Sequence, residues 1–331
     1  MKTFKHRAVA IPLTMYLLAS MGLQAACAED GLPLVSFRED AGRVEISVGD
    51  RGVATYVYDD PAISRPYFCQ VRTRRGVTVT RPNPPDPAIN KGNDDHPLFH
   101  PGVWLAFGDI NGEDFWRNRA RVRHVRFIEV PSANEGHGGF SVENAYTGEQ
   151  GGIVCREACS YRIWSDSADA WFLTSRSAFR SDSGGFAFGD QEEMGLGIRL
   201  NTPITVKLGS GHMTNSDGGR NEEGTWGKAA RWCGAWGGDA GRGVAVALMP
   251  SPGNFRSCWF HTRNYGLIVA NPFGEKAMTG PDDPSVTPSA TIVKTGGEFT
   301  LCFGVWIADS PRDVTPPFDT AYERWLKSLE Q

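Results

Sequence analysis

Beyond its first 28 residues the sequence has no apolar run approaching the ~18 residues that a spanning helix needs, so no transmembrane anchor is expected there. It also lacks an excess of basic charge. With 34 Lys and Arg against 38 Asp and Glu, the formal net charge is −4, which argues against nucleic acid or an anionic membrane surface as the main partner. Helix signals are scarce, and 39 Gly with 21 Pro punctuate the chain with turns instead. Cys155 and Cys159 have no second short-spaced cysteine pair to match them, which disfavours a structural zinc knuckle. No internal repeat, low-complexity tract or composition break marks a domain boundary.

What is present begins with a targeting pattern. Lys2, Lys5 and Arg7 precede a mainly apolar run from Ala8 to Leu23, and Ala26-Cys27-Ala28 has the small-x-small form of a signal-peptidase site. Residues 1–28 are therefore read as a signal peptide, and 29–331 as a single domain of a periplasmic or secreted protein. Lipidation at Cys27 is the less favoured alternative, because Gln24-Ala25-Ala26 is a poor approach to a lipidated cysteine. Cys69, Cys155, Cys159, Cys233, Cys258 and Cys302 leave two states open. They could form up to three disulfides, with Cys155 and Cys159 close enough in sequence to bridge locally, or stay as buried thiols in a core that needs no staples.

The remainder alternates in the manner of strands. Val44, Ile46 and Val48 share a face, Gly49 to Gly52 supply a turn, and Val53 to Tyr58 return, which reads as a hairpin. Strands are expected at Arg121–Val130, Phe140–Asn144, Tyr161–Trp164, Trp171–Arg176, Leu196–Val206 and Val244–Met249, and Phe299 to Ile307 alternates cleanly. Arg81 to Asn93 is a proline-rich loop. One short C-terminal helix is expected, capped by Asp319 and carrying Tyr322, Trp325, Leu326 and Leu329. The fold class read from this pattern is all-β, a large antiparallel β-sandwich.

The densest chemistry lies in Asp94 to Trp116, DDHPLFHPGVWLAFGDINGEDFW. His96 and His100 each precede a proline, which biases them away from helical dihedrals and places them on a loop or extended segment, with both imidazoles on one side. Trp104 and the turn residue Asp109 follow. In Asp190 to Arg199, strand parity puts Glu192 with Met194, Leu196 and Ile198, and puts Glu193 with Gly195, Gly197 and Arg199 on a glycine-cleared face left open for a ligand. A polar loop carries His212 and Asn215, and Trp226-Gly227-Lys228 follows; it lacks the ending of a phosphate-binding P-loop. Trp259, His261, Arg263 and Tyr265 share one strand face, a set that a core would not choose.

DHPLFHPGVWLAFGDINGEDFW, EMGLGIR around Glu193, Asn215-Ser216, Trp226-Gly227-Lys228, HTRNYG and Asn271-Pro-Phe-Gly274 together resemble a secreted bacterial family labelled methane oxygenase PmoA. The label itself misleads, since a membrane oxygenase subunit needs several spanning helices. The resemblance covers about residues 50 to 310 and implies a galactose-mutarotase-like supersandwich. Family members commonly carry Asp-His-Pro-His-His-Arg-Gly, where this chain has Asp95-His96-Pro97-Leu98-Phe99-His100-Pro101-Gly102 and so one histidine and the arginine fewer.

That resemblance implies a carbohydrate-active enzyme, a hydrolase, lyase or epimerase acting on a glycan or modified glycoside. His96 or His261 would work with Glu193 as acid and base, and His100, Trp104, Asp109, Arg199, His212, Asn215, Trp226, Lys228, Arg263 and Tyr265 would bind substrate. A variant places a divalent metal, zinc or manganese, among His96, His100 and His261. The alternative from another class is a non-catalytic glycan-binding protein of the cell envelope. A third reading is a structural envelope protein that binds no sugar.

Overall fold

The computed structural model describes residues 33–134, 136–165, 167–181, 183–239 and 241–330; the signal peptide read in residues 1–28 lies outside them. In chain order the strands are β1 (Val35–Asp40), β2 (Arg43–Val48), β3 (Arg51–Val57), β4 (Tyr67–Cys69), β5 (Val103–Phe107), β6 (Arg121–Asn134), β7 (His137–Thr147), β8 (Ile153–Trp164), β9 (Ala170–Arg180) and β10 (Phe186–Phe188). They continue as β11 (Met194–Arg199), β12 (His212–Asn215), β13 (Lys228–Ala229), β14 (Cys233–Asp239), β15 (Arg242–Pro250), β16 (Trp259–Arg263), β17 (Leu267–Asn271), β18 (Thr291–Val293) and β19 (Glu298–Asp309). Three short helices accompany them, α1 (Asn221–Thr225), α2 (Glu275–Thr279) and α3 (Phe318–Ser328).

A nine-stranded sheet runs β1-β2-β3-β4-β5-β11-β17-β16-β13, and an eight-stranded sheet runs β12-β14-β15-β19-β9-β8-β7-β6. Alternation sends Ile46 and Val48 of β2, Leu196 and Ile198 of β11, Val246 and Leu248 of β15, and Phe303, Val305 and Ile307 of β19 into one core between the sheets. Each such side chain contributes ~1.5–3 kcal/mol of transfer free energy against the entropy of ordering the chain. The architecture is the large antiparallel β-sandwich expected from the alternation.

The opposite face of β19 carries a second layer. Cys302, Trp306 and Ala308 pack with Phe318, Tyr322 and Trp325 of α3. Trp325 lies flat on Gly304, where any Cβ would collide with the indole, and its Nε1 donates to Thr174 Oγ1 at 3.0 Å. Leu329, expected on the buried side, is 39% exposed beyond the helix end. Asp319 makes no cap hydrogen bond. Its Oδ1 instead accepts from Trp232 Nε1 and from Arg231 Nη2, both at 2.9 Å, tying α3 to β14 and its approach.

Other expectations change for local reasons. The strand expected through Val206 ends at Arg199 and gives way to a 3-10 turn at Thr202–Ile204, with Pro203 unable to extend the ladder. Tyr265 is not on β16 but in the turn joining it to β17. Cys155 and Cys159 lie four residues apart on β8, both buried. An extended strand separates such positions by ~13 Å, too far for a bridge, and all six cysteines are free thiols.

Truncating Trp325 to Ala removes the largest group between α3 and the sheet. We expect a loss of ~3–5 kcal/mol in urea unfolding with the strand signal in circular dichroism retained; a loss below ~1 kcal/mol would show that α3 contributes little.

Candidate functional site

The outer face of the nine-stranded sheet carries the polar residues. Among the residues of β5, β11, β16 and β17 that do not point into the inter-sheet core are Trp104, Gly197, Val269 and His261 in one cross-strand row, and Arg199, Leu267 and Arg263 in the next. The expected parity of β11 therefore holds from Met194 to Arg199. The face is not left open, however. Residues 93–118 fold over part of it, Trp104 lies across Gly197 with its ring 2.7 Å from where a Cβ would stand, and Trp104, His100 and Arg199 are 1%, 3% and 0% exposed. The glycine makes room for the protein's own tryptophan, which corrects the expectation that these residues touch substrate.

Three buried guanidinium groups hold this loop down. Arg81 donates to the carbonyls of Asn93 (2.6 Å), Asp95 (2.7 Å) and His100 (3.3 Å). Arg65 donates to those of Phe99 (2.5 Å) and Trp116 (2.9 Å) and to Asn118 Oδ1 (2.9 Å). Arg199 donates to Asn93 Oδ1 (2.6 Å), His100 Nδ1 (3.1 Å) and Asp95 Oδ1. Burial lowers all three, Arg65 to about 9 and Arg81 to about 10, the latter also through its neighbour Arg199. They stay cationic at neutral pH. Burial would raise the Asp95 carboxyl, but the Arg199 charge and hydrogen bond, with His96 and Arg81, outweigh it and hold it below its ordinary range.

His96 and His100 are not extended. The His100 and Phe99 amides both donate to His96 O at 3.1 Å, closing a helix-like turn, and His96 takes a positive φ of 49°. The imidazole centroids come within 5.5 Å. His100 stacks on Trp104 at 5.2 Å, and because Arg199 has only protons to give, its Nδ1 must be the acceptor. Burial and then Arg199 push His100 well below the usual histidine range, so it is neutral. His96 is half-exposed at the rim, 3.7 Å from Asp95.

His261 is the second centre. Its Nδ1 lies 3.0 Å from the Glu192 carbonyl, which can only accept, so Nδ1 carries the proton. Nε2 is left as a lone-pair nitrogen, buried and without a hydrogen-bond partner. Burial and then Arg263 lower this histidine to about 4. Arg263 spans Glu192 Oε2 at 3.3 Å and Glu222 Oε1 at 3.8 Å, beside the Trp226 ring. Tyr265 joins the two halves, with Arg199 4.2 Å above its ring. Burial raises its hydroxyl and both arginines oppose the rise, so it stays protonated at neutral pH.

The carboxylate beside His261 is Glu192, not Glu193. Gly195 has φ 112°, and a Cβ there would strike the Ala270 carbonyl. The strand begins only at Met194, and residues 192 and 193 lie in a bend ahead of it, so strand parity does not reach Glu192 and it does not join the core-facing set. Asn271 Nδ2 anchors the displaced segment through Gln191 O (2.7 Å) and Glu192 O (3.2 Å). Glu193 pairs with Arg117, which also holds Asp114 at 3.0 Å.

The remaining expected residues lie apart. Asp109 closes its own turn by accepting from Gly112 N at 2.7 Å. Asn215 is buried and accepts from Asp217 N and Gly219 N. His212 sits on β12 in the other sheet, stacked on Trp236. Lys228 is exposed on the edge strand β13, where it lines an open cleft with Trp226, Glu222 and Met278. Among the described residues no three His, Cys, Asp or Glu side chains converge as a metal site requires, so His96, His100 and His261 do not form one set. Asp95, Glu192 and Arg117 are site residues the sequence reading passed over; Asp95 and Glu192 each adjoin a residue it chose.

The profile of DUF6807 matches residues 43–315. The chain belongs to this family of unknown function. No curated protein matches the DUF6807 chain at the level of significance required. Among solved structures it is similar to a putative kojibiose phosphorylase from the human microbiome, at 8% identity and TM-score 0.29 over 58% of this chain; it spans only 20% of that protein. It is also similar to a GalM/aldose epimerase homologue from C. elegans, at 8% identity and TM-score 0.31, over 83% of this chain and 99% of that one. A galactose mutarotase related enzyme from Lactobacillus acidophilus matches at 10% identity and TM-score 0.33, over 85% and 99%.

Two outcomes follow from this geometry. His261 is lowered in the fold, so the unfolded chain binds more protons in acid, and the stability it contributes is present above about pH 6.5 and lost as pH falls toward about 4. Urea unfolding should show a loss of roughly 2–3 kcal/mol less in His261→Gln than in the wild type between pH 7 and 4.5; equal losses would contradict a buried neutral His261. Arg199→Lys keeps the charge but not the fork that reaches three acceptors. It should cost ~2–4 kcal/mol and raise amide exchange across residues 93–101, and unchanged exchange there would count against the arginine clamp.

Proposed function

We propose that this DUF6807 protein is a carbohydrate-active enzyme in which His261 serves as general base on a sugar ligand. The observation that carries the proposal is the neutral imidazole of His261, fixed through Nδ1, whose buried Nε2 has no hydrogen-bond partner within the protein and would be reached by a ligand only once the groups around it move. A neutral histidine in a fixed tautomer is suited to accept a proton from a hydroxyl or from an acidic carbon. Tyr265 is protonated and half-buried nearby, the Arg263–Glu192 pair offers hydroxyl-binding groups, and Trp226 offers an aromatic face of the kind that packs on a sugar ring. His96, exposed at the rim 3.7 Å from Asp95, is a second and more accessible candidate for proton transfer. The reading of residues 1–28 as an export signal supports a periplasmic or secreted setting for this activity.

The test is turnover over a panel of glycans and oxidised glycosides, followed by reducing ends and by ultraviolet absorbance for new unsaturation. His261→Gln should lower kcat by at least ~10²-fold while sugar affinity stays within ~10-fold. Glu192→Gln should lower kcat less and weaken binding. Unchanged kcat in His261→Gln overturns the assignment, and saturable sugar binding with no product from the wild type favours a binding protein.

A further inference from the structure

A separate cleft of about 260 Å³ opens where the 58–65 segment meets the start of β6, lined by Tyr58, Asp59, Arg65, Arg121, Arg123 and His124 among others. Two of these residues bring buried nitrogens that have no hydrogen-bond partner, Arg65 Nε and His124 Nδ1. Arg65 is 3% exposed, and its terminal nitrogens are committed to Phe99 O, Trp116 O and Asn118 Oδ1, so its Nε–H is the donor left over. Arg121 and Arg123 are exposed and enter no ion pair among the described residues. The acidic lining does not cancel them. Asp60 accepts from Tyr67 Oη (2.6 Å), Ala62 N (2.8 Å) and Ile63 N (3.1 Å) and keeps its charge, so the lining sets two carboxylates, Asp59 and Asp60, against three guanidinium groups, a surplus of one positive charge. The Tyr58 ring packs against His124 at 4.6 Å and closes one wall.

A cleft with surplus positive charge and an unspent guanidinium N–H suits an acceptor-rich ligand. We propose that it binds a small oxyanion, a carboxylate or a tetrahedral phosphate or sulfate, through Arg65, Arg121 and Arg123 with His124 as a further contact. The site stands apart from the His261 face and does not depend on the function proposed there. Arg65 connects the two, because the same guanidinium that lines the cleft fastens the carbonyls of Phe99 and Trp116 in the covering loop. The oxyanion has two sources, free inorganic anion or the acidic group of a saccharide.

The experiment is an NMR titration of the full chain at pH 7 and constant ionic strength, following the His124 ring, with inorganic phosphate, sulfate, glucuronate and, as a neutral control, glucose. Saturable shifts with an anion and none with glucose are expected, and the Arg121→Gln, Arg123→Gln double variant should bind at least ~10-fold more weakly. Arg123→Lys, which keeps the charge, should lose less. Saturation by phosphate or sulfate identifies the free anion, and saturation by glucuronate alone identifies an acidic sugar. Shifts that never saturate, or an affinity the double variant leaves unchanged, overturn the proposal.

Discussion

Three guanidinium groups, those of Arg65, Arg81 and Arg199, are buried under the loop that covers the outer sheet face, and the site depends on them. A buried cation is costly unless its protons are all used, and here most point at backbone carbonyls or side-chain oxygens of residues 93–118. Each arginine comes from a different part of the chain, so the clamp forms only when the sheet is assembled. A folded nine-stranded sheet is in this sense a precondition for the placement of His96, His100 and Trp104.

The result is a face with two histidines in unlike settings. His100 is sealed between Trp104 and Arg199, its lone pair already used, and acts as part of the wall. His261 has its proton used and its lone pair unused. The same residue type serves structure in one place and offers chemistry in the other, and what separates them is the hydrogen-bond partner: an arginine that must donate, or a carbonyl that must accept. Tyr265 and Arg263 then give His261, itself buried, a polar surround that retains a carboxylate, Glu192, within reach of the same guanidinium.

Much of the scaffold was legible because alternation is a local signal. The hairpin of β2 and β3, the pattern of β19 and the face shared by Gly195, Gly197 and Arg199 all follow from period-two spacing. What local patterns could not carry were effects of distance or of single backbone kinks. Gly197 reads as space cleared for a ligand until Trp104, from a neighbouring strand far away in sequence, is seen to fill it. The choice of Glu193 over Glu192 fails because strand parity does not extend past Met194, where the strand begins, into a bend that sets both carboxylates by other contacts. His96 and His100 were correctly paired but for a different reason, since a hydrogen-bonded turn rather than an extended segment brings them together.

The account turns on the state of His261. Long-range ¹H–¹⁵N NMR of histidine-labelled protein at pH 7 reads it directly. The account predicts a neutral ring, with Nδ1 protonated and Nε2 showing the shift of an unprotonated nitrogen, persisting as pH is lowered to about 5. A protonated Nε2, or a ring already cationic at neutral pH, would contradict it.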